Sequence, residues 1–245
     1  MNLDEAIVFI NESKYKFTNT HSRCVDGRYD PGEELPAMAK PGADEGDLAT
    51  AFAACNKLGI ECQKETILNA VLETVGGVKN FNFHTDQRTE EDCHIPGMGC
   101  GHAKFENQDA TAYGLTPEQG KYIFDTLNQL LEKGAKQTIL KGNHEEQAVF
   151  TVSSNSYSVK PHILEPISKE AFIYHKTLTE KRLHDLAHNL LNWLNLPENQ
   201  EQDLYETILE CHNNQLRETV SRLAPNLPHY NVEIYDDGTT LNKTN

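Results

Sequence analysis

Apolar side chains recur at positions 48, 51, 52, 55 and 58 in the segment DLATAFAACNKLGI, at the three- and four-residue spacing of one helix face. Asp44 or Asp47 is available as the cap of that helix. KETILNAVLETVGG predicts a second helix, stopped by the Gly76-Gly77 pair. Val78, Phe81 and Phe83 then suggest a strand that delivers His84 at its carboxyl end. The clearest helix is TPEQGKYIFDTLNQLLEKGA, where Thr116 caps, Pro117 takes the first turn and Gly134 ends the run. Two long amphipathic helices are expected over residues 168–195 and 199–223, and strands at QTILKG, AVFTVSS and YNVEIYD. Residues 29–46, with three prolines and three glycines, read as a long loop after a short strand that ends near Cys24. The stretch from Gln87 to Gly101 has no sustained period and reads as loop, and the polar tail DGTTLNKTN is expected to fray.

Strands alternating with helices predict an α/β fold with a mainly parallel central sheet flanked by helices. A single domain over residues 1–245 is expected, with a helical carboxyl-terminal portion from about 165 to 225. The formal net charge of -15 opposes binding to a nucleic acid backbone, which needs an excess of Lys and Arg. No apolar run approaches the roughly 20 residues of a membrane span. The start MNLDEAIVFINESKYKF lacks a basic leader and a long apolar core, so a cytoplasmic protein is expected. In that setting the six cysteines read as thiols. Cys55, Cys62 and Cys211 sit in or beside helical stretches and read as inert packing thiols.

Chemistry concentrates in three short segments: CVDGR at 24–28, FHTD at 83–86 and GCGH at 99–102. They fall where strands end, and in parallel sheets sites collect at the carboxyl ends of strands. Zinc prefers sulfur and imidazole nitrogen in tetrahedral geometry, and a catalytic zinc keeps three protein ligands with the fourth position open. Cys24, His84 and Cys100 form such a set, soft enough to accept cadmium as well as zinc. Alternation along an extended segment would point Cys24, Asp26 and Arg28 to one side. Arg28 then holds Asp26 ionised beside the metal through a bidentate pair.

CxDGR followed by HTD and then CGH resembles the β-class carbonic anhydrases, and more closely their cadmium-using ζ-class relatives. The resemblance spans roughly residues 20 to 105. It implies a β-carbonic-anhydrase-like fold in which Cys24, His84 and Cys100 bind the metal and Asp26 with Arg28 forms the catalytic dyad. The implied activity is that of a carbonate dehydratase, a lyase that interconverts carbon dioxide and bicarbonate through metal-bound hydroxide. His102 is then a proton shuttle or a hydrogen-bonding group behind the ligands. The loop PGADEGD resembles the segment lining the carbon dioxide pocket, and the family also suggests a homodimer. The interval between His84 and Cys100 is far longer than the two intervening residues of the β-class, so a segment loops out between them.

Other readings of the same residues stay open. Cys93, His94, Cys100 and His102 form a compact cluster suited to a purely structural zinc. The hydroxide that attacks carbon dioxide would also attack carbon disulfide or carbonyl sulfide. A silent metal-binding protein results if Asp26 or another side chain fills the fourth position. His184 and His188, four residues apart, read as part of a wet helix face.

Overall fold

The computed structural model describes residues 22–24, 38–40, 42–84, 109–138, 148–152, 155–159, 169–223, 229–235 and 238–244, with side chains over 42–83, 110–137 and 177–219. Two short strands, β1 (Ser22–Cys24) and β2 (Met38–Lys40), pair in parallel with Cys24 opposite Lys40. β2 lies inside the segment expected to be loop. Its three residues sit between Pro36 and Pro41 and are too few to show a period.

Helix α1 (Glu45–Leu58) follows, then α2 (Lys64–Val75). α1 is buried on all sides from Glu45 to Cys55, because its many alanines let neighbours approach from every side, and only its last turn is exposed. It packs against α2, against α4 (Pro117–Glu132), against α5 (Lys169–Trp193) and against α6 (Glu201–Leu223). Leu48, Phe52, Ile67, Val71, Ile123, Leu127, Leu186, Leu190 and Ile208 close around it as one core. Gly59 ends α1 in the left-handed conformation (φ 66°), and the Ile60 amide donates back to the Cys55 carbonyl at 2.9 Å.

The expected strand at Val78 begins instead as a single 3-10 turn over Val78–Asn80, and β3 is Asn82–His84. β3 pairs in parallel with β4 (Lys136–Thr138), His84 opposite Thr138. A short helix α3 (Asp109–Ala112) precedes α4. The expected capping box of α4 is present: the Gln119 amide donates to Thr116 Oγ1 at 3.2 Å, and the Thr116 amide donates to Gln119 Oε1 at 2.9 Å.

A mixed four-stranded sheet uses β5 (Ala148–Val152), β6 (Asn155–Val159), β7 (His229–Tyr235) and β8 (Gly238–Thr244) in the order β6-β5-β7-β8. β5 and β7 are parallel, and the two outer pairings are antiparallel. The tail expected to fray is β8, which is the last strand of this sheet among the described residues and is rich in threonine, a residue that favours strands. Helices and strands are thus both present, and among the described residues the strands fall into three hydrogen-bonded groups. No helix among the described residues is long and apolar enough to cross a membrane.

Candidate metal centre

Cys24 is the last residue of β1 and His84 the last residue of β3. The two strands lie beside each other, with Cα atoms approaching within 8 Å. Asp26, Arg28, Cys93, His94, Cys100 and His102 lie outside the described residues, as do the side chains of Cys24 and His84. Among the described residues no group of three or more His, Cys, Asp or Glu side chains could hold a metal ion. His188, expected on a wet face, is exposed, with Nδ1 3.1 Å from Glu201 Oε1, whereas His184 is half-buried against the Tyr205 ring (centroids 5.3 Å apart).

The chain enters α1 through Gly42 and Ala43, both in the left-handed region (φ 81° and 61°). Gly42 takes that conformation readily, whereas Ala43 holds it at a cost, a kind of strain that persists only where surroundings over-determine the backbone. Here they do. Ala43 forms an antiparallel bridge to Phe83, the residue before His84. The Asp44 amide donates to the Asn82 carbonyl at 2.9 Å, and the Asn82 amide donates to Asp44 Oδ2 at 2.7 Å.

Asp44 occupies the position expected of a helix cap, but its side chain makes no capping bond. Its backbone is already in the right-handed helical region (φ -70°, ψ -18°) rather than the extended region a capping residue favours. Its carboxylate instead receives Arg182 of α5: Nη2 stands 2.8 Å from Asp44 Oδ1 and 3.1 Å from Asp47 Oδ2, and Nε stands 3.3 Å from Asp47 Oδ2. All three residues are buried, at 5% exposure for Arg182, 1% for Asp44 and 0% for Asp47. Burial opposes the charged guanidinium, but Asp47 and then Asp44 outweigh it and hold the arginine above its ordinary range. Residues 42–47 of the segment PGADEGD are thus a turn and a first helical turn, fastened on one side to β3 and on the other to α5.

Arg182 is a site residue absent from the sequence expectations, although the sequence carries a signal for it. Leu178, Arg182, Leu186 and Leu190 are each four residues apart, so the arginine interrupts a stripe whose other members are buried leucines. A cation in that register needs buried anions, and the Asp44–Asp47 pair supplies them.

A second polar seam starts at Thr50, three residues further along α1 from Asp47. Thr50 Oγ1 donates to Gln215 Oε1 and Gln215 Nε2 donates to the Tyr113 carbonyl, both at 2.8 Å, which ties α6 to α1 and to the turn after α3. Near the end of α1 the expected packing thiols are two buried residues, Cys55 and Cys211, and one half-buried residue, Cys62. A hydrogen bond with Cys62 pushes the Cys55 thiol up, and the same bond draws Cys62 down against the effect of its burial.

Comparison with known proteins finds no matching family model, no similar curated protein and no similar solved structure.

Proposed function

We propose that this protein is a metal-dependent carbonic anhydrase, hydrating carbon dioxide to bicarbonate at a centre held by Cys24, His84 and Cys100. The observation that carries the reading is the juxtaposition of β1 and β3, which end on Cys24 and His84 and approach within 8 Å in Cα position. Two donors of one zinc ion lie within about 4 Å of each other, given bond lengths of about 2.3 Å to sulfur and 2.0–2.1 Å to nitrogen. Neighbouring strands that each end on a ligand suit that requirement. Two thiolates and an imidazole also balance a dication, so the donor chemistry fits zinc or cadmium. The same reading joins β2, β1, β3 and β4 into one parallel sheet in that order, with the site at its carboxyl edge.

A zinc or cadmium ion bound there supplies Lewis acidity at neutral pH. The protein's own groups do the rest. Asp26, kept ionised by Arg28, accepts a hydrogen bond from the attacking water and so directs its lone pair at the carbon of carbon dioxide. The reaction releases one proton for each bicarbonate formed, and His102 is suited to carry it because an imidazole titrates near pH 7.

Stopped-flow hydration of carbon dioxide by protein loaded separately with zinc and cadmium, with metal content determined on the same samples, tests the proposal. Fast hydration that disappears in Cys24→Ser supports both reaction and ligand. Full metal occupancy without hydration overturns the carbonic anhydrase reading while leaving a metal site, and turnover of carbonyl sulfide by the same samples would redirect it to an analogue substrate.

A further inference from the structure

We infer that Arg182, on the carboxyl-terminal helix α5, is a positioning residue for the metal centre, acting on the His84 ligand through Asp44 and β3. The inference rests on the proposed metal centre and extends it to a part of the chain outside the ligand-bearing segments. Arg182 Nη2 bonds Asp44 Oδ1 at 2.8 Å, and the other oxygen of the same carboxylate accepts from the Asn82 amide at 2.7 Å. The Asp44 amide closes the contact from its side, donating to the Asn82 carbonyl at 2.9 Å. Asn82 is the first residue of a strand whose last residue is His84, so the position of this short strand is tied to where Asp44 sits.

Asp44 has reason to stay there. Its carboxylate and that of Asp47 face one guanidinium, and the planar fork of an arginine reaches both acids at once where a lysine offers only a point charge. The fork also spans elements distant in sequence, since Arg182 and Asp44 are 138 positions apart. Metal ligands depend on hydrogen-bonded groups behind them, and loss of such a group typically weakens metal binding about 10- to 100-fold. The chain Arg182–Asp44–Asn82 would be a longer version of such support, reaching His84 only through the backbone of β3.

The test uses the full-length protein with cobalt(II) as a visible probe. Arg182→Lys keeps the cation but loses the fork. It is expected to melt cooperatively, to bind cobalt about 10- to 100-fold more weakly and to show a shifted visible band. In the metal-free protein its Asn82 amide is expected to exchange faster with solvent than in the wild type, a readout independent of the ion. Wild-type cobalt affinity and band in a folded Arg182→Lys overturn the inference. Should Arg182→Lys lose its cooperative melt, Asp44→Asn, which preserves side-chain volume, decides on the same readouts. Loss of the melt in both variants makes the cluster a prop of the whole fold and overturns the positioning role. Failure is also distinguishable from failure of the proposed function: a wild type that takes up no cobalt removes the metal centre itself, whatever the Asn82 amide does.

Discussion

Arg182 is enclosed with two aspartates, and that grouping is costly to assemble and more costly to break. Transferring three charges from water carries a large desolvation penalty, which the mutual attraction in a poorly polarisable interior offsets only when geometry is good. The distances of 2.8 and 3.1 Å to two different carboxylates meet that condition. Removing the cation alone leaves two buried anions facing each other. Arg182→Met is therefore expected to lose about 3–5 kcal/mol of unfolding free energy. Adding Asp47→Leu to it should return part of the loss, because one stranded charge goes with it. Urea denaturation of the two variants beside the wild type measures both steps, and an Arg182→Met protein as stable as the wild type would refute the charged, buried picture. Ala43 shows the same economy at backbone level, its left-handed conformation held by the bridge to Phe83 on one side and the start of α1 on the other.

The start of helix α4 joins two packing directions through one side chain. Gln119 completes the capping box with Thr116, and its amide also exchanges hydrogen bonds with Asn56 at the end of α1, at 2.7 and 2.9 Å. Thr116→Ala removes the acceptor for the Gln119 amide and loosens that junction, so a loss of about 1 kcal/mol is expected by thermal or chemical denaturation. A loss near zero would mean that the Asn56–Gln119 contact alone keeps the turn. This helix was legible in the sequence because its signals are local: cap, proline, period and terminal glycine all lie within one segment. β2 and β8 were not. Met38–Lys40 is too short to show alternation, and the polar run Gly238–Thr244 owes its strand to pairing with β7 along its whole length. The beginning of α1 was misread for a related reason. An aspartate before an apolar run looks the same in sequence whether its carboxylate caps the helix or reaches a distant arginine.

At the scale of the molecule, CVDGR, FHTD and GCGH stand out in the sequence because they are short and chemically distinctive, whereas the Asp44–Arg182 pair joins positions too far apart to stand out there. An ion that binds only the folded state stabilises it by mass action, by about 2.7 kcal/mol at a hundredfold excess over the dissociation constant. For a chain of 245 residues that corresponds to a rise in melting temperature of about 5–10 °C. Zinc added to chelator-treated protein is expected to produce such a rise in the wild type and in Cys93→Ser, but none in Cys24→Ser or Cys100→Ser. The comparison separates two placements of the ion that share Cys100. If Cys93→Ser loses the rise while Cys24→Ser keeps it, the metal belongs to the compact set of Cys93, His94, Cys100 and His102. The site would then be structural, and the juxtaposition of β1 and β3 would need another explanation.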